Sequence, residues 1–158
     1  MSDTINTMSE SYRAFAEQLE VLIAAEPDWL ANLANTAALL YHELRQVNWA
    51  GFYLLKGEEL VLGPFQGKPA CVRIPLGKGV CGTAAQKRQT IVVADVHQFP
   101  GHIACDEASR SEIVVPWIAD ERLIGVLDID SPILERFTSQ DAIGLEHILR
   151  ILTRHALP

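Results

Sequence analysis

The run Glu112-Ile113-Val114-Val115-Pro116-Trp117-Ile118-Ala119-Asp120-Glu121-Arg122-Leu123-Ile124-Gly125-Val126-Leu127-Asp128-Ile129-Asp130 decides how this chain folds. It reads as two strands, 112–118 and 123–130, joined by a short polar turn at Asp120-Glu121. Side chains alternate along a strand, so Asp128 and Asp130 share one face while Leu127 and Ile129 take the other. An unpaired buried carboxylate must neutralise or find a cation, so that face is either solvated or the lining of a polar pocket. Glu112 opens the first of the two strands, and its place depends on register. A two-residue turn would pair it with Ile129, away from the aspartates; a shift of one residue would set it opposite Asp128 or Asp130. Both registers remain open at this level.

Working outward, four more strands are expected at 47–56, 59–62, 70–74 and 90–94, separated by turn signals such as Gly63-Pro64 and Gly77-Lys78-Gly79. Before them the apolar period is helical. Tyr12, Phe15, Leu19, Leu22 and Ile23 form one stripe with Ser9 as cap, and Leu30, Leu33, Ala37, Leu40, Tyr41 and Leu44 form a second after Pro27. A short helix is expected over 81–87, a long irregular loop over 95–111, and a last helix from Thr138 with Asp141 at capping-box spacing. Two helices, consecutive strands and a closing helix make an α+β fold with a six-stranded, mostly antiparallel sheet. The terminal helices can cover one face and leave the other for a ligand.

A chain of 158 residues is expected to be one domain, 1–158. Its net charge of -7 argues against nucleic acid and anionic membrane surfaces as partners, because both want a basic face. Residues 1–10 are polar and acidic, the first basic residue is Arg13, and no apolar run nears the ~20 residues that span a bilayer. The expected compartment is the cytosol, where thiols are kept reduced.

Cys71, Cys81 and Cys105 then carry the chemistry that can be read. Three thiols fit one transient disulfide plus a spare, or three inert groups. Cys105 lies in the polar, turn-rich run Val96-His97-Gln98-Phe99-Pro100-Gly101-His102-Ile103-Ala104-Cys105-Asp106, on a loop rather than in an apolar stretch, which favours thiol reactivity. Cys81 either is buried or begins a helix whose dipole lowers its pKa. His97 and His102 either shape the loop or lower the pKa of Cys105 by charge. There is no C-x-x-C pair, and the spacings match no zinc finger, so no metal is expected. Trp49 and Tyr53 share a face around Gly51, either as core aromatics or as a gap that admits an apolar ligand group.

The combination of Asn48-Trp49-Ala50-Gly51-Phe52-Tyr53, Gly79-Val80-Cys81-Gly82-Thr83-Ala84, Phe99-Pro100-Gly101-His102-Ile103-Ala104-Cys105-Asp106, Ser111-Glu112-Ile113-Val114-Val115-Pro116 and Gly125-Val126-Leu127-Asp128-Ile129-Asp130-Ser131 resembles the free methionine-(R)-sulfoxide reductases, which are single-domain GAF proteins. The resemblance covers nearly the whole chain. It implies a GAF fold with the terminal helices on one sheet face and the ligand pocket on the other, and it implies no cofactor. By the same resemblance Cys105 is the nucleophile, Cys71 closes a disulfide on it, and Cys81 assists or substitutes for Cys71. Glu112, Asp128 and Asp130 would bind the substrate ammonium and supply an acid, with Trp49 and Tyr53 flanking the methyl sulfoxide. Thioredoxin would be the reductant. GAF domains commonly pair through their terminal helices, which leaves a homodimer as a possible assembly. The rival class is a GAF sensor of a small molecule, which would leave the three cysteines unexplained.

Overall fold

Helix α1 (Glu10–Ile23) starts where Ser9 accepts a hydrogen bond from the Tyr12 amide, and α2 (Trp29–Glu43) where Asp28, just after Pro27, accepts from Ala31. The computed structural model describes residues 8–155 and 157–158, so the first seven residues of the acidic opening lie outside it. The chain continues through β1 (Trp49–Lys56), β2 (Glu59–Gly67), β3 (Arg73–Pro75), α3 (Gly79–Lys87) and β4 (Ile91–Val93). A single 3-10 turn at Val96–Gln98 interrupts the long loop. β5 (Ser111–Ala119), β6 (Arg122–Ser131) and α4 (Ser139–His155) complete the fold. At the start of α4 the Asp141 carboxylate accepts from the Thr138 amide at 2.8 Å, the reciprocal half of the expected capping box.

The six strands form one antiparallel sheet in the order β3-β2-β1-β6-β5-β4. Alternation along each strand divides the core in two. Ala50, Phe52, Leu54, Ile113, Val115, Trp117, Leu127 and Ile129 meet α1, α2 and α4 on one face. On the other, Trp49, Tyr53, Val114 and Val126 meet Val80, Cys81, Ala84 and Ala85 of α3. The helical stripes hold for Leu19, Ile23, Leu33, Ala37 and Leu40, all buried, but Leu22 and Leu30 are 45% and 51% exposed.

Two strand boundaries differ from the sequence reading. Gly63-Pro64 is not a turn: β2 runs on to Gly67, and these two residues bulge opposite Phe52. A bulge is one of the few places inside a sheet where proline loses no ladder bond. β3 is shorter than expected and begins at Arg73, so residues 70–72 form an irregular segment that carries Cys71 along the sheet edge.

Candidate active site

The hairpin between β5 and β6 settles the register. Asp120 and Glu121 both have positive φ (50° and 64°), the geometry of a two-residue hairpin turn, and Ala119 pairs with Arg122. Continued unbroken, that pairing would put Glu112 opposite Ile129. Instead Ile124 is bulged out, Trp117 pairs with Gly125, and Glu112 lands opposite Asp130. β1 flanks β6 on its other edge, where Trp49 pairs with Asp130 and Gly51 with Asp128. The three carboxylates thus meet on the face opposite the terminal helices.

Glu112 and Asp128 are each only 6% exposed. Burial first, then the charges of the neighbouring aspartates and a hydrogen bond to Asp130, hold the Glu112 pKa well above its usual range. Burial and the Asp130 charge push Asp128 up as well. Asp130 rises to about 6, chiefly through burial, with the Glu112 hydrogen bond pulling against it and the Asp106 charge adding to it. The Oδ1 atom of Asp128 is buried without a hydrogen-bond partner among the described residues. So the wall holds protons and one open acceptor, which suits a cationic hydrogen-bond donor. Cys81, Glu112 and Asp128 present ligand atoms within 4.8 Å of one another, a set that could also hold a metal ion.

Like charges crowded in low dielectric destabilise the folded chain. Asp128→Asn is therefore expected to raise the melting temperature of the ligand-free protein at neutral pH, by about 2–4 °C. Thermal unfolding of the two chains side by side checks this. A lower melting point for the variant would show that Asp128 is matched by a partner in the folded state.

Cys105 is exposed, on the irregular segment before β5, and is joined to half-buried Cys71 by a disulfide with a Cα–Cα distance of 5.8 Å. Two aromatics of β1 hold the Cys71 segment. The Tyr53 hydroxyl donates to the Cys71 carbonyl at 2.8 Å, and the Trp49 indole N–H donates to the Lys68 carbonyl at 3.1 Å. Cys81 is the free thiol, buried at the third position of α3. Of the two readings of Cys81, burial holds and acidification by the helix dipole does not. Burial, reinforced by the charges of Asp128, Glu112 and Asp130, pushes the Cys81 thiol well up, and it donates to Asp128.

Between Cys105 and the carboxylates lies a cavity that opens to solvent. Trp49, Tyr53, Cys81, Glu112, Asp128 and Asp130 all line it, beside Cys105 itself. Of the two readings of Trp49, Gly51 and Tyr53, burial of the aromatics holds, and Gly51 leaves no apolar gap between them. The Trp49 and Phe65 rings stack 5.2 Å apart, and a Cβ on Gly51 would lie 2.3 Å from Phe65 and 2.8 Å from the Trp49 ring. The free space lies on the other side of Trp49, toward Cys105. Of the two histidines near the Cys105 loop, only one faces the cavity. His102 lines the cavity, but burial lowers its pKa; exposed His97 turns to Asp95 at 3.1 Å. The sequence reading gave no role to Asp106, Ser109 and Ile103, which also line the cavity. The signal for the first two was local: Asp106 accepts from the Ala108 amide, a turn-forming habit of aspartate.

The GAF domain family matches residues 28–156. The chain is 54% identical to the free methionine-R-sulfoxide reductase of Escherichia coli strain K12, across 92% of this chain and 88% of that protein. It is 45% identical to the enzyme of the same name from Saccharomyces cerevisiae, across 85% and 79% of the two chains. The crystal structure of free methionine-R-sulfoxide reductase from Neisseria meningitidis in complex with its substrate superposes with a TM-score of 0.89 at 50% identity, covering 94% of this chain and 91% of that one.

Proposed function

Because the chain belongs to the GAF family and, within it, to the free methionine-(R)-sulfoxide reductases, we propose that it reduces free L-methionine-(R)-sulfoxide to L-methionine with Cys105 as nucleophile, Cys71 as resolving thiol and thioredoxin as reductant. The observation that carries this reading is the Cys71–Cys105 disulfide at the cavity whose wall is built from Glu112, Asp128 and Asp130. A reversible thiol pair meets a proton-holding wall across a space fit for a small molecule.

In the first step the Cys105 thiolate attacks the sulfoxide sulfur. The oxygen takes up a proton, methionine leaves, and Cys105 becomes a sulfenic acid. The carboxyl group whose burial keeps it protonated, Glu112, is the acid we assign to this wall. In the second step the Cys71 thiol displaces water from that sulfenic acid and forms the disulfide. A dithiol such as thioredoxin then reduces it by exchange. Asp128 and Asp130 hold the substrate ammonium, and the open Oδ1 acceptor of Asp128 supports that assignment. Trp49 and Tyr53 flank the methyl sulfoxide and keep the Cys71 segment within reach through their bonds to Lys68 and Cys71. Buried Cys81, its thiol held protonated, serves the wall by donating to Asp128.

The cycle belongs in the cytosol, where thioredoxin is kept reduced. No helix among the described residues is long and apolar enough to cross a membrane. Pairing of two copies through the terminal helices is part of the same reading, and Val21, Leu22 and Leu30 remain exposed on α1 and α2.

The test is NADPH-coupled turnover with thioredoxin and its reductase, run on free L-methionine-(R)-sulfoxide, the S epimer and a sulfoxide-containing peptide. Consumption with the free R epimer alone is expected; none with any substrate, from folded and reduced protein, would overturn the reading. The same assay reads a pH dependence. Asp130, with its pKa at about 6, is charged above that pH and neutral below it. So kcat/KM should fall as pH drops through about 6, because the ammonium loses its counter-charge. The Asp130→Asn chain should show a low kcat/KM without that acid limb.

A further inference from the structure

We infer that Asn48 is a positioning residue that fixes the Cys105 loop against the carboxylate strands; this rests on the reading of Cys105 as nucleophile. Asn48 immediately precedes β1, and its backbone N–H donates to the Asp130 carbonyl at 3.0 Å, which ties it to the carboxylate strand. Its side chain reaches the other way. The amide nitrogen donates to Asp106 Oδ2 and to Ser109 Oγ, both at 3.0 Å. Asp106 is the next residue after Cys105, and both acceptors line the cavity.

Asp106 and Ser109 are also tied to each other. Asp106 Oδ1 accepts from the Ala108 amide at 2.9 Å, and the Asp106 carbonyl accepts from the Ser109 amide at 3.2 Å. The turn that carries Cys105 is therefore a small closed unit; Arg110, just past it, is held by its N–H to the Ser131 carbonyl at 2.7 Å, and the Asn48 amide is the side chain that fastens the turn itself to the sheet. The unit is buried at Ser109 and exposed at Cys105, so hydrogen bonds more than packing hold the thiol end in place.

The orientation of the Asn48 amide is dictated by its partners. A carboxylate and a hydroxyl both accept from the nitrogen, whereas a flipped amide would set oxygen against carboxylate. The consequence is an Asn48 Oδ1 that is buried with no partner among the described residues. A side chain serving only to satisfy local hydrogen bonds would not leave its own carbonyl orphaned while aiming both N–H groups at one loop. Asn48 also keeps the Asp106 carboxylate near Asp130, whose raised pKa owes part of its shift to that charge.

The reaction needs sulfur-to-sulfur approach within a fraction of an ångström, and misplacement by about 1 Å costs on the order of 100-fold in rate. In Asn48→Ala no carboxylate of the ammonium site is removed, and the nucleophile loop is released. With pre-reduced protein and a single turnover, maximal methionine release is expected to fall about 10- to 100-fold, while half-saturation by substrate stays within about threefold. A swap tests the bond itself. Asn48→Asp alone faces Asp106 with a second carboxylate and should be at least as slow. Asn48→Asp combined with Asp106→Asn reverses donor and acceptor, lets Ser109 donate its hydroxyl, and should be faster than the Asn48→Asp chain. Ser109→Ala removes one of the two bonds and gives a smaller fall in the same direction, which keeps the test open should Asn48→Ala not fold. An unchanged maximal rate in Asn48→Ala, or a swap that recovers nothing, would overturn the inference. An inactive wild-type chain in the same assay would instead overturn the reductase reading.

Discussion

Cys105→Ser is expected to lower turnover of free methionine-(R)-sulfoxide to less than about a thousandth of wild type, with thioredoxin and with a small dithiol alike. The attacking species is a thiolate, and a serine hydroxyl at neutral pH offers neither the charge nor the soft nucleophilicity that sulfur needs. No other thiol stands ready to replace it. Cys81 lines the cavity, but burial and three carboxylates hold its proton in place. Cys71 is not among the residues that line the cavity, and it sits on a segment fastened by Tyr53 and Trp49. Loss under both reductants is the informative pattern, because it places the defect before recycling. Activity above about a tenth of wild type with either reductant would move the nucleophile to another residue.

Cys71→Ser is expected to separate the two reductants. Thioredoxin-driven turnover should fall at least about 100-fold, while a small dithiol, able to reach the sulfenic acid on exposed Cys105, should sustain much of its wild-type rate. Thioredoxin exchanges with a disulfide, and without Cys71 none forms. Cys71 and Cys105 are 34 residues apart in the chain yet joined by a disulfide, whereas Cys81 stays buried and unjoined. Both assays are run on the same preparation, with the free thiols counted before and after one turnover: wild type should lose two and the variant one. Wild-type behaviour with thioredoxin would make Cys81 the resolving thiol. That result would require α3 to open enough to expose a sulfur now covered by Val80, Ala84 and the sheet.

Much of the fold was legible because it rests on periodicity. Alternation in β1, β5 and β6 and the three- and four-residue spacing in α1, α2 and α4 are local properties, and each buried most of the stripe it displayed, Leu22 and Leu30 excepted. The misreadings also had local causes. Gly63-Pro64 carries a turn signature, yet neighbouring strands absorb it as a bulge. The gap at Gly51, the alternative to a core reading of Trp49 and Tyr53, is closed by Phe65, a ring from a different strand. The helix dipole that should have acidified Cys81 is outweighed by burial and by carboxylates that arrive from β5 and β6.

The candidates for the reactive set were legible in the chain alone: three thiols, one of them on a polar loop, and two carboxylates two residues apart on an apolar strand. Those are facts of covalent order, and alternation turned the last into a shared face before any fold was known. Whether Glu112 joined them was not such a fact. The turn at Asp120-Glu121 is the one the residues ask for, and by itself it points Glu112 away from the aspartates. One extra residue at Ile124, accommodated as a bulge when β6 pairs with β1 and β5 together, reverses that outcome and completes the wall. Strand pairing is a sum over many distant hydrogen bonds and packed side chains, so a one-residue slip is decided by the whole sheet and by no stretch within it. The same holds for the proton on Glu112, which is set by desolvation and charges that exist only once the sheet has closed.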